Sequence, residues 1–391
     1  MIGFSQNEQG ENFRFVLARL NPSGTLDLSF GRGGKVITDP TADRDIAMSA
    51  ALQKDGKIIV LGTRGDDQCL ACAGHALVRY LSDGRLDPTF GQSGKVLDSF
   101  SSGSFSFQVN ARDVVVQPDS KLVVLGSNEL GIALARYSPN GVRDLSFGKN
   151  GLVATLDGAT SPDGGAKGAA IAVGLDGKLV IVGEHLNRDD SQNTLLIRYN
   201  PNGSLDSSFG NGGKVRRRNG PTGGVGADDV IVQRNGRIVS GGSSFRRTPA
   251  GFFSDFALLR YYSDGRPDLT FGGGDGATST HVDVFAGAIA LAVAPDGRLV
   301  LAGFSQNFNP QRGGDPNPAY RRDFALARYT SSGALDTRFS GDGKATTRCP
   351  YGGAFSVADG VVVQPDGKIV AAGGAQGADG GDLAVARYRY E

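Results

Sequence analysis

One phrase recurs six times along the 391-residue chain, and it limits the possible folds more than any other feature. It reads FVLARLNPSGTLDLSFGRGGKV from Phe15, ALVRYLSDGRLDPTFGQSGKV from Ala76 and IALARYSPNGVRDLSFGKNGLV from Ile132. It returns as LLIRYNPNGSLDSSFGNGGKV from Leu195, ALLRYYSDGRPDLTFGGGDG from Ala257 and ALARYTSSGALDTRFSGDGKA from Ala325, and LAVARYRYE closes the chain. The anchoring arginines are Arg19, Arg79, Arg136, Arg198, Arg260, Arg328 and Arg387, spaced 57 to 68 residues apart. A second phrase alternates with the first: LQKDGKIIVLG, VQPDSKLVVLG, GLDGKLVIVG, VQRNGRIVSGG, APDGRLVLAG and VQPDGKIVAAG. A fixed period of this kind marks an array of one supersecondary unit.

Each unit reads as four short strands. Strand A is a branched run such as Asp113-Val114-Val115-Val116-Gln117, followed by an Asp-Gly or Asn-Gly turn that supplies the positive φ a tight hairpin requires. Strand B is the Lys-Ile-Val-Val-Ala-Gly run, strand C the Leu-Ala-Arg-Tyr run, and strand D the Gly-Lys-Val segment. With 60 Gly in the chain a helical fold is disfavoured, because each Gly inside a helix costs about 1 kcal/mol relative to Ala. Repeated four-stranded antiparallel units predict an all-β fold, a β-propeller in which neighbouring blades cover each other's faces. An open solenoid is the weaker alternative, since long parallel coils would not need so many hairpin turns.

The compound phrase (Ala-Arg-Tyr, Gly, Leu-Asp, Ser/Thr-Phe-Gly, Gly-Lys-Val, then Pro-Asp-Gly-Lys) resembles the delta-60 repeat family of bacterial β-propeller proteins over essentially the whole chain. The resemblance implies the propeller fold and an exported or cell-surface location, and it brings no catalytic motif. It describes residues 1–391 as one propeller domain of repeats about 60 residues long.

Seven C strands are present, but six A–B hairpins and six D strands. Met1-Ile2-Gly3-Phe4-Ser5 aligns with the end of a B strand, as in Leu301-Ala302-Gly303-Phe304-Ser305. The expectation is therefore about seven four-stranded blades with one incomplete, six being the runner-up. The true start is expected upstream, with an export signal and the first strands. No signal peptide opens these residues, and no run approaches the roughly 18 apolar residues of a membrane-spanning helix.

Connection lengths divide the unit. An Asp follows the Arg by eight residues in all six phrases (Asp27, Asp87, Asp144, Asp206, Asp268, Asp336). A Phe follows by eleven (Phe30, Phe90, Phe147, Phe209, Phe271, Phe339). The A–B turn is equally constant, whereas B–C and D–A loops vary. In an antiparallel blade the constant turns share one face and the variable loops the other, so ligand selectivity is expected at the variable face. An active site needs one constellation rather than six copies. Each Asp is accordingly read as a turn cap pairing with its own Arg, and each Phe as a plug between blades.

Candidate chemistry is sparse. Cys69-Leu70-Ala71-Cys72 with His75 is the one metal-like cluster; it lacks a second Cys pair, Cys349 is distant, and a local disulfide or idle thiols is the preferred reading. His185, beside Glu184, is read as a solvated loop residue, with acid–base work the lesser option. Asp113 and Asp229 break a row of small residues in strand A, and they anchor the alternative of a hydrolase or lyase with a metal at the channel mouth. Bonding to backbone or water is the preferred reading for both. Arg216, Arg217, Arg218, Arg246, Arg247, Arg321 and Arg322, with Arg312, fall in variable-face loops of the later units. Arginine suits bidentate contact with acidic groups, so these are the candidate ligand-binding residues. The balance of 41 Lys+Arg against 40 Asp+Glu and the sparse aromatics argue against nucleic acid. The expected function is a non-catalytic, monomeric binding module without cofactor or metal, taking a protein or glycan partner.

Overall fold

Each repeat folds as antiparallel strands joined by tight turns. The computed structural model describes residues 1–6, 13–41, 44–66, 69–102, 105–106, 109–128, 131–156, 165–186, 192–217, 225–248, 251–307, 321–348, 355–377 and 380–389. Five four-stranded sheets follow one another along the chain. The first holds Arg44–Leu52, Ile58–Asp66, Cys69–Tyr80 and Lys95–Asp98; the second holds Asn110–Val116, Leu122–Asn128, Gly131–Tyr137 and Leu152–Leu156. Gly165–Val173, Leu179–Leu186, Gln192–Tyr199 and Lys214–Arg217 make the third. The fourth comprises Val225–Val232, Ile238–Thr248, Gly251–Tyr261 and Ala277–Thr280, and the fifth Phe285–Val293, Leu299–Asn307, Arg321–Tyr329 and Lys344–Thr347. In each, the strand order is A-B-C-D.

Two three-stranded sets flank these sheets. Ile2–Gln6, Phe13–Ala18 and Lys35–Thr38 supply a B, a C and a D strand, and Ser356–Val363, Ile369–Gly377 and Gly380–Tyr388 supply an A, a B and a C. The expected seven four-stranded blades with one incomplete, and the six of the runner-up, are thus corrected to five four-stranded blades. Counting C strands overestimates them, because the first and last C strands lie in three-stranded sets among the described residues.

The chain divides into two compact units, Met1–Ile181 with Arg198–Asp206, and Val182–Ile197 with Ser207–Glu391. The third sheet contributes residues to both. In the first unit, Phe15, Leu17, Phe30, Val60, Ala76 and Tyr80 form one core, and Leu61, Leu77, Phe90, Val114, Val124 and Tyr137 another. In the second unit, Leu258, Phe271, Leu291, Leu301 and Tyr329 pack together, as do Val300, Leu326, Phe339, Val361 and Ile369. Each core draws on successive sheets, which is why strand C is apolar on both faces: Ala76, Leu77 and Val78 are all fully buried.

Two local devices recur. The A–B turn of the first sheet is closed by the Gln53 amide donating to the Lys57 carbonyl (2.8 Å), with Asp55 accepting from the Lys57 amide (3.2 Å) and Gly56 at φ +81°. Strand A carries a bulge at one position, between Ala47 and Ser49, Ala111 and Asp113, Ala227 and Asp229, Ala288 and Ala290, and Ala358 and Gly360.

Candidate ligand-binding site

The recurring polar residues are committed to the frame. Arg Nε meets Asp Oδ2 within each phrase: 2.8 Å for Arg19–Asp27, 2.9 Å for Arg79–Asp87, 3.0 Å for Arg136–Asp144, 2.7 Å for both Arg198–Asp206 and Arg260–Asp268, and 3.1 Å for Arg328–Asp336. The same Asp caps its turn, as where Asp268 Oδ1 accepts the Thr270 amide (3.1 Å) and hydroxyl (2.6 Å). A second cation comes from the A–B turn: Lys57 on Asp87 (3.6 Å), Lys121 on Asp144 (3.2 Å), Lys178 on Asp206 (2.9 Å), Arg237 on Asp268 (3.0 Å) and Arg298 on Asp336 (2.9 Å). These contacts place the A–B and C–D turns at one end of the sheets, as the constant spacings predicted. Burial alone would raise Asp268, but the Thr270 bonds, Tyr262 and Arg260 outweigh it and hold the carboxyl at about 2.

The guanidinium also reaches the next repeat. Arg19 Nη1 donates to the Ser82 carbonyl, Arg79 Nη1 to Pro139, Arg136 Nη1 to Pro201 and Arg260 Nη1 to Ser331. It stacks on the phrase's own Phe, with 4.3 Å from the Arg260 guanidinium to the Phe271 ring centre. That Phe packs under a glycine of the following repeat: a Cβ on Gly265 would come within 2.9 Å of Phe209, and one on Gly141 within 2.9 Å of Phe90. The six Phe are 0 to 3% exposed, as expected of plugs.

Asp113 and Asp229 serve the same end. Asp113 accepts the Ser49 hydroxyl (2.6 Å) from the preceding A strand, the Ile171 amide (3.0 Å) from the following one, and the Val114 amide (2.8 Å). Asp229 accepts the Val230 and Leu291 amides, both at 2.7 Å. These carboxylates tie neighbouring A strands, which is the backbone-bonded reading preferred from the sequence. Burial raises Asp113 despite those donors. Among the described residues no three His, Cys, Asp or Glu side chains cluster as metal ligands would.

The candidate arginines on described strands lie at the opposite strand ends, beside the B–C and D–A connections. Arg216 is exposed, and Arg217 donates to the Asp275 carbonyl (3.1 Å) and carboxylate (3.3 Å). Arg246 Nε pairs with buried Asp255 (3.3 Å), and Arg321 with Asp323 (3.1 Å). Arg322 stacks over Phe304 (4.3 Å) and bonds Gln306 (3.0 Å). The structure thus brings acidic partners onto three of them. Arg247 lies on the fourth sheet's B strand with its side chain outside the described residues, and Arg218 and Arg312 lie wholly outside them. Cys69 and Cys72 sit on a strand, but their side chains, and Cys349 altogether, are likewise outside.

Two histidines depart from expectation. His185 is not a loop residue: it lies on Leu179–Leu186 and is 1% exposed, because the B strand runs past the predicted boundary. His75 is fully buried, stacked on Phe100 (4.7 Å), with Nε2 2.6 Å from Tyr137 Oη. Tyr137 donates to Asp98 Oδ2 (2.9 Å), so His75 Nε2 carries the proton that reaches the phenol oxygen. Arg143 Nε completes the cluster on Asp98 (3.0 Å). Burial pushes His75 down to about 4.

A family model of a beta-propeller domain of unknown function, DUF5122, matches residues 3–30, 117–147, 175–209, 294–339 and 364–389. The matched repeats are similar to those of the DUF5122 beta-propeller family. The matched stretches contain four of the six Arg–Asp–Phe phrases and three of the five hairpin cations paired with them, so the DUF5122 signature there coincides with the interlock just described. This bears out the resemblance to a delta-60-like propeller repeat, under a different family name. No curated protein matches the chain. Among solved structures, a Lactobacillus plantarum protein aligns at TM-score 0.52 and 11% identity, covering 100% of this chain and 95% of that one. A Dyadobacter fermentans protein of unknown function aligns at 0.49 and 12%, covering 88% and 94%. A Penicillium chrysogenum alpha-L-arabinanase aligns at 0.49 and 12%, covering 89% and 94%. At these identities the first likeness is one of fold alone.

Proposed function

We propose that this DUF5122-like propeller is an exported or cell-surface binding module that takes an acidic polysaccharide through the B–C end of its later sheets. One observation carries the reading. The Arg and Asp side chains of the repeating phrase are committed to turn caps and ion pairs, and Arg216, Arg246 and Arg321 stand outside that phrase at the opposite strand ends. Arginine is suited to paired contacts with sulfate, phosphate or carboxylate groups, and prior anchoring of its stem lowers the ordering cost of binding. The alternative of a metal-dependent hydrolase or lyase at Asp113 and Asp229 has less support, since both carboxylates already accept backbone amides.

The test is a binding screen of the purified chain against sulfated, uronate-rich and neutral polysaccharides, with an acidic protein surface as comparison. The combined variant Arg216→Ala, Arg246→Ala, Arg321→Ala is expected to weaken polyanion binding at least tenfold and to flatten its salt dependence. Equal binding by the variant and the parent, or preference for neutral polymer, sinks the proposal.

A further inference from the structure

The fourth sheet's B–C hairpin runs beyond the core, with Arg246 opposite Phe253 and Ser244 opposite Asp255. Partners across a ladder share a face, and so do residues two apart, so these four stand on one side of the hairpin. His281 follows the D strand Ala277–Thr280 and meets them there, its Nδ1 2.8 Å from Asp255 Oδ1. Asp255 is 5% exposed and takes Arg246 Nε on its other oxygen at 3.3 Å. The Arg246 guanidinium lies 5.1 Å from the Phe253 ring centre. The His281 side chain is 57% exposed.

A carboxylate paired with an arginine only accepts hydrogen bonds, so the proton on the neutral His281 ring sits on Nδ1 and Nε2 projects away from Asp255. On protonation Nε2–H becomes an outward donor beside the remaining guanidinium N–H groups. Two cationic donors are then held on one buried carboxylate, with a net charge of +1. Other charges nearby are Lys344, whose Nζ donates to the His281 carbonyl (3.3 Å), and Asp283 two residues on; the buried Tyr329 hydroxyl is near enough to feel the Asp255 charge.

We infer that Asp255, His281 and Arg246 form a site for a single tetrahedral oxyanion, a sulfate or phosphate ester, bound by Arg246 and protonated His281 while Asp255 fixes both. The inference rests on the polyanion reading and names the residues that would grip one charged group.

His75 and His185 are buried, so His281 is the accessible ring among three histidines and reports cleanly. Its ring Cε1–H signal is followed by NMR from pH 5 to 8 in sodium sulfate and in sodium chloride of equal ionic strength. By linkage, sulfate is expected to raise the His281 midpoint by about 0.5 pH unit or more, and Arg246→Ala to abolish that difference. Dextran sulfate is expected to move the same signal, and neutral dextran to leave it in place. Asp255→Asn should weaken the sulfate response while the His75 and His185 signals report an intact fold. Identical midpoints in sulfate and chloride overturn the inference. If dextran sulfate binds without moving His281, the site is wrong while polyanion binding stands; if it does not bind, both readings fall.

Discussion

Asp268 Oδ2 lies 2.7 Å from Arg260 Nε, eight residues before it in the chain, and 3.0 Å from Arg237 Nε of the preceding hairpin. With its carboxylate fully buried, replacement by Ala strands two guanidinium groups and removes the cap of Thr270. Asp268→Ala is expected to cost about 3–5 kcal/mol in urea unfolding. Asp27, whose side chain is 24% exposed and which carries one arginine, should lose clearly less. Equal losses at the two positions would refute the interlock.

Gly265 and Gly24 share the left-handed backbone, at φ +90° and +93°, but differ in surroundings. A Cβ on Gly265 meets Val215 at 2.6 Å and Phe209 at 2.9 Å, whereas one on Gly24 meets nothing within 4 Å. Gly24→Ala should cost about 1 kcal/mol from backbone strain, and Gly265→Ala about 2–4 kcal/mol with overpacking added. Thermal unfolding of the two variants checks the order.

His75 makes stability depend on pH. Its folded value of about 4 lies below the ordinary 6.5, so between these limits the unfolded chain binds more protons. Its contribution is present above about pH 6.5 and is lost as pH falls toward 4, by up to roughly 3 kcal/mol. His75→Gln should flatten the difference between unfolding free energies at pH 7 and pH 4.5. The carboxylates held low, such as Asp144 at about 2, titrate beneath this window.

Asp113→Ala leaves the buried Ile171 amide and the Ser49 hydroxyl without their acceptor. A loss of about 2–3 kcal/mol is expected. Melting temperature should be unmoved by millimolar calcium or by EDTA. A calcium-dependent rise that Asp113→Ala abolishes would revive the metal-site alternative.

The strands, turns and Arg–Asp pairs were legible because each depends on local chemistry at a fixed spacing. The second cation on five of the six Asp was not, since the variable B–C loop lies between Lys57 and Asp87 and between Lys121 and Asp144, which erases any constant interval. Five complete blades were read as seven because a C strand looks the same in a four-stranded sheet and in a three-stranded set. His185 was misplaced by a strand longer than its neighbours' pattern suggested. The basic cluster was visible as arginines alone; Asp255 reaches Arg246 through hairpin geometry, and Asp323 reaches Arg321 because residues two apart on a strand share a face. Likewise His281 and Asp255 stand 26 residues apart and meet through the register of the fourth sheet.

The guanidinium contacts to Ser82, Pro139, Pro201 and Ser331 go to main-chain carbonyls, and the plugging Phe rests on glycine. Such a junction does not read its neighbour's side chains. A duplicated or deleted unit would therefore find a matching seat wherever it landed, so gene-level copying could lengthen or shorten the array without compensating substitutions, leaving the irregular connections free to diverge.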